Sequence, residues 1–136
     1  MTIHSYPQKF ILSGAVVPKA RARVTRRGTF LPKRYREWKE SAYASLLSQR
    51  ASFETDISRA GGNLQPRVLP LDNVAIAIEL YGSCRGDLDN IAGAILDALV
   101  QAGIIFDDRV SVVKALSIKH CGGKTKEVTI ALHRHL

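Results

Sequence analysis

The stretch VAIAIELYGSCRGDLDNIAGAILDALVQAGIIFDD, residues 74–108, decides the fold. Its first eight residues carry one charge, Glu79, and read as a strand in the middle of a sheet. Asp89 or Asn90 is then a natural N-cap, and Ile91, Ala94, Ile95, Ala98 and Leu99 recur at i, i+3, i+4, i+7 and i+8, one face of a helix. Gly103 supplies the left-handed stop that ends it. Ile104-Ile105-Phe106 is a short apolar piece that delivers Asp107-Asp108.

Outward from this core, residues 9–17 (KFILSGAVV) read as a first strand closed by Pro18. Residues 18–32 carry a basic arm, with an Arg27-Gly28 turn between two short strands. Tyr35, Trp38, Ala42, Leu46 and Phe53 predict a helix from about residue 33 to 52. Residues 54–72 hold Gly61-Gly62, Asn63, Pro66 and Pro70 and read as a flexible loop, long enough to carry function. Downstream, residues 110–119 and 127–133 read as strands joined at Gly122-Gly123 into an antiparallel hairpin. The fold class is α+β (mixed α/β): a single domain over 1–136, with a small mixed sheet of four to five strands packed with two main helices.

Composition agrees. The chain has 136 residues, 46% hydrophobic and 24% charged, which suits one globular domain. Twenty Lys and Arg against twelve Asp and Glu leave a net charge of +8, which favours a polyanionic partner. A membrane is disfavoured, since no apolar run nears the ~18–20 residues of a spanning helix. The opening MTIHSYPQKF does not read as a secretory signal. Cys84 and Cys121 suit a reducing cytoplasm and read as incidental or buried thiols. His4, His120, His133 and His135 show no metal spacing, and no glycine-rich phosphate motif points to a nucleotide cofactor.

The charge is unevenly placed. Lys19, Arg21, Arg23, Arg26, Arg27, Lys33, Arg34, Arg36 and Lys39 meet only Glu37, whereas Asp87, Asp89, Asp97, Asp107 and Asp108 crowd one stretch. The first set suits a phosphate backbone. The second suits Mg²⁺ or Mn²⁺, which take carboxylates and water. In extended backbone Asp87 and Asp89 project to one side, and Asp107-Asp108 meet them if the elements flanking the helix pair. Against this stands a bland reading, with Asp89 as a cap and Asp107-Asp108 as a turn.

The run GDLDNIAGAILDALVQAGIIFDD resembles the core of the RusA family of Holliday junction resolvases. The resemblance rests on Asp87-Leu88-Asp89-Asn90, Asp97-Ala98-Leu99, Ala102-Gly103 and Asp107-Asp108, and extends to Lys119, Gly122-Gly123-Lys124 and the basic PKARARVTRRG upstream. It implies a RusA-like fold and a homodimeric, Mg²⁺-dependent endodeoxyribonuclease, Mn²⁺ being a substitute, that resolves four-way junctions in DNA recombination and repair. Asp87, Asp89 and Asp108 would then be the catalytic, metal-binding acids, with Asp107 as an auxiliary metal ligand and Lys119 as a catalytic cation. Arg21, Arg23, Arg26, Arg27, Lys33, Arg34 and Arg85 would hold DNA. The setting implied is a bacterial or phage-encoded protein acting in the cytoplasm. One position departs from the pattern: the family's helix lysine is Gly93 here. Either Lys119, Lys114 or an arm residue supplies that charge, or the protein binds branched or duplex DNA without cutting it.

Overall fold

In the computed structural model residues 8–20, 23–59 and 69–135 are described, with backbone alone for Gln8, Arg23 and residues 52–59. Six strands and two helices follow one another as β1 (Gln8–Ser13), β2 (Arg23–Thr25), β3 (Gly28–Phe30), α1 (Lys33–Arg59), β4 (Val74–Tyr81), α2 (Leu88–Gln101), β5 (Val113–Gly122) and β6 (Glu127–Arg134). The main sheet has four strands in the order β1-β6-β4-β5, and β2 and β3 form a separate ribbon. The arrangement is α+β.

Residue alternation builds the core. Val74, Ile76, Ile78 and Leu80 of β4 are buried while the intervening residues are half-exposed. Register aligns Ile78 with Ile130 and Phe10, and Leu80 with Val128 and Leu12, so these side chains share one face. Against that face pack Ile91, Ala94, Ile95, Ala98 and Leu99 of α2, with Tyr35, Ala42 and Leu46 of α1. Leu99 is fully buried, and burial of such a side chain contributes about 1.5–3 kcal/mol. Arg50 of α1 donates to the carbonyl oxygens of Ala102 (3.0 Å) and Gly103 (3.3 Å), satisfying the end of α2. Gly103, at φ 70°, is the left-handed stop expected there.

Four expectations are corrected. First, β1 stops at Ser13 rather than running to Val17, because Gly14 turns the chain at φ 90°. Second, α1 continues to Arg59, taking in the opening residues of the expected loop; residues 60–68 lie outside the described residues. Third, α2 begins at Leu88, with Asp87 in the N-cap position.

The fourth concerns topology. β5 and β6 do not form a hairpin: β5 pairs in parallel with β4, and β6 inserts antiparallel between β4 and β1. Parallel neighbours need a crossover, and α2 supplies it. The chain then passes from β5 to β6 across the end of β4, close over Gly82. A Cβ on Gly82 would stand 2.8 Å from both the Cα of Lys126 and the carbonyl oxygen of Thr125. Gly122 and Gly123 are therefore the start of a crossing, not the tip of a hairpin.

Candidate functional site

Asp87 and Asp89 lie where β4 gives way to α2. Asp87 is extended (φ −82°, ψ 146°) and makes no side-chain capping hydrogen bond. Asp89 sits exposed in the first helical turn, where a carboxylate is favoured by the helix dipole. Facing one side at i and i+2 assumes extended backbone through both residues. That assumption fails at Leu88, where the helix has already begun, so alternation does not align the two carboxylates.

Asp107 and Asp108 lie at the other end of α2. The flanking strands do pair, but in parallel, with Val74 opposite Val113. A parallel crossover returns the chain to the start of the preceding strand, and so away from the point it left. Asp89 is the second helical residue, and Asp107 and Asp108 lie beside α2 residues Asp97 to Gln101, eight to twelve residues on, a rise of about 12–18 Å. Among the described residues no group of three or more His, Cys, Asp or Glu could hold a metal ion. The expected meeting of all four carboxylates thus does not occur within one chain.

At the Asp107–Asp108 end an open cleft of about 360 Å³ is lined by Lys39, Asp97, Val100, Gln101, Asp107 and Asp108. Asp107 is engaged twice: its Oδ1 accepts the backbone N–H of Asp108 (2.7 Å) and its Oδ2 pairs with Nε of Arg109 (2.6 Å). The Asp108 N–H first, then the neighbouring Asp108 side chain and the Arg109 guanidinium, hold the Asp107 carboxyl below its usual range. Asp97 accepts hydrogen bonds from Tyr35 Oη (3.2 Å) and Lys19 Nζ (3.4 Å). Burial, and then the Asp97 charge, push the Tyr35 hydroxyl pKa upward, keeping it a donor. Lys39 lies over the Tyr35 ring, 5.8 Å from its centroid.

The remaining candidates are scattered. Lys119 stands opposite Glu79 in the β4–β5 register, on the sheet face away from α2. There Tyr81 Oη donates to Glu79 (2.6 Å), which with Lys119 holds the Glu79 carboxyl below its usual range and lifts Tyr81 to about 12. Lys114 is exposed near the start of β5, toward the Asp107–Asp108 end. Arg26 and Arg27 are exposed at the turn of the β2–β3 ribbon, where the Arg27 N–H donates to Thr25 Oγ1 (3.2 Å). Arg21 lies outside the described residues, and of Arg23 only the backbone in β2 is described. Lys33 and Arg34 open α1, Lys33 pairing with Glu37 (3.8 Å). Arg85 is exposed two residues before Asp87.

The sequence counts Asp97 among the crowded acids and Lys19 in the arm without giving either a partner, and it marks Tyr35 only as part of the helix pattern. Nothing local in the chain joins residues 19, 35 and 97; the one available signal was Gly93, a bare position in a helix.

A family model described as endodeoxyribonuclease RusA matches residues 13–133. Among curated proteins none matches the chain closely enough to count as a relative. The matched span opens at the last residue of β1 and closes inside β6, and it contains the arm, both helices and both acid pairs. With that span, and with the D-L-D-N turn at the mouth of α2, the chain belongs to the RusA endodeoxyribonuclease family.

Proposed function

We propose that this protein resolves four-way DNA junctions by divalent-metal-dependent hydrolysis of phosphodiesters, acting as a homodimer in recombination and repair. The observation that carries the reading is the family match over residues 13–133, within which Asp87, Asp89, Asp107 and Asp108 all stand in place. The basic ribbon adds a second support. Arg26 and Arg27 project at its turn, placed to neutralise phosphates, with Lys33, Arg34 and Arg85 as further contacts and Arg21 and Arg23 on the same segment.

Mg²⁺, with Mn²⁺ as substitute, is the ion whose ligand preference these carboxylates match. The acids of one chain do not fit a shared site, because about 12–18 Å of helix separates them. We therefore assign metal binding to the dimer, with the Asp87–Asp89 end of one copy meeting the Asp107–Asp108 end of the other. Asp108 is the better ligand of its pair, since Asp107 is already committed to Arg109. Among the described residues no helix is long and apolar enough to cross a membrane. The reading places the protein in the bacterial cytoplasm, from a cellular or a phage gene.

The test is cleavage of synthetic four-way junctions with Mg²⁺ or Mn²⁺, with Asp89→Asn beside the wild type. The expected result is paired nicking by the wild type and its loss in the variant. Equal cleavage by both would refute the role of Asp89. A second reading, a non-catalytic junction- or duplex-binding protein, is favoured by Gly93 and by the separation of the acids. Tight, salt-sensitive junction binding with no cleavage in either metal would establish it.

A further inference from the structure

The root of the basic arm lies along the D-L-D-N turn and is fastened to it at successive points. A Cβ on Gly86 would overlap the ring of Pro18, so the missing side chain is what admits the arm. The Lys19 N–H donates to the carbonyl oxygen of Asn90 (3.0 Å). The Lys19 stem then crosses Gly93, its Cδ 3.2 Å from where a Cβ would stand. Its ammonium ends 3.3 Å from Oδ2 of Asp97, the carboxylate that also takes the Tyr35 hydroxyl. Asn90, Gly93 and Asp97 are spaced by three and four residues and so form one stripe of α2. Lys19 runs down that stripe, and Asp97 ties the arm root, α1 and α2 together.

We propose that Lys19 is a positioning residue: it holds the root of the basic arm against α2, beside Asp87 and Asp89. This rests on the nuclease reading for its consequence in cleavage. The ribbon starts at Arg23, four residues beyond Lys19, so a docked root limits how far Arg26 and Arg27 can range from Asp87 and Asp89. The Lys19 charge is spent on Asp97 rather than offered to a phosphate. Its role is therefore separable from that of the arginines. Gly93 has its own part, since a side chain there would meet the Lys19 stem.

The test compares Lys19→Met, which keeps much of the stem and removes the charge, with Gly93→Ala and with Arg27→Ala. Junction affinity is measured over a salt series without divalent metal, and single-turnover cleavage at saturating protein with Mg²⁺. Hydrogen exchange of the segment from residue 15 to 30 is followed in the free protein. For Lys19→Met we expect affinity and salt slope within about twofold of wild type and a saturated rate at least about tenfold lower, with faster exchange in the arm. For Arg27→Ala we expect weaker binding and a slope reduced by about one. A Lys19→Met protein that behaves like Arg27→Ala would show a phosphate contact and overturn the proposal. So would unchanged exchange together with an unchanged saturated rate. If the wild type itself does not cleave, the nuclease reading fails, and faster exchange in both Lys19→Met and Gly93→Ala still supports the anchor.

Discussion

Two inactive variants should restore one another if the acids of both protomers build each site. Asp87 and Asp89 stand at the start of α2, Asp107 and Asp108 beside its last turns from Asp97 to Gln101, and eight to twelve residues at 1.5 Å each put about 12–18 Å between them. A Mg²⁺ ion holds its oxygens at about 2.0–2.1 Å, so two ligands of one ion lie within a few ångströms of each other. No side-chain rotation closes the remaining gap, because α2 is packed through Ile91, Ile95 and Leu99 into the core. Asp89→Asn spoils one end and Asp108→Asn the other. In a heterodimer of the two, one composite site holds both lesions and the other holds neither. Random exchange of equal amounts makes half the dimers mixed, each with one intact site of two, so about a quarter of wild-type sites return. The heterodimer is best isolated through two different affinity tags and assayed on a synthetic junction with Mg²⁺. The expected product is a singly nicked junction rather than paired duplexes, since resolution needs two active sites. A purified heterodimer as inert as either parent would refute the composite site.

Three further outcomes follow from the packing. Gly93→Ala replaces a poor helix former in α2 and meets only the flexible stem of Lys19, which is half-exposed and able to shift. Thermal unfolding should show a gain of up to about 1 kcal/mol even as junction cleavage falls. Gly82→Ala has no such escape, because the obstacle is the backbone of residues 125 and 126 and the position lies at φ 77°; urea unfolding should show a loss of about 2–4 kcal/mol. The third concerns pH. The folded-state pKa of Glu79 is depressed, so its contribution to stability is present above the unfolded value and lost as pH falls through the folded one. Tyr81→Phe removes the principal donor, so the Glu79 carboxyl should titrate higher by NMR and stability should fall less steeply on acidification below about pH 4.3. An unshifted Glu79 titration would show that the hydroxyl does not hold the carboxylate.

Much of the site was readable from local chemistry, and the parts that were not share one cause. The apolar face of α2, its glycine stop and the basic ribbon about Arg27-Gly28 follow from periodicity and turn chemistry, which act within a few residues. So does the placing of Asp87 and Asp89 at a helix mouth. The identity of the four acids and of the arm was set down by the sequence alone, and with it the family. Tertiary structure decided where those groups stand relative to one another. Whether β5 returns beside β4 in parallel or antiparallel depends on burying whole sheet faces, and no single segment encodes that choice. The parallel outcome sends Asp107 and Asp108 to the far end of α2. The same long-range packing lays Lys19 over Gly93, turning an apparent loss of a helix side chain into the slot that seats the arm.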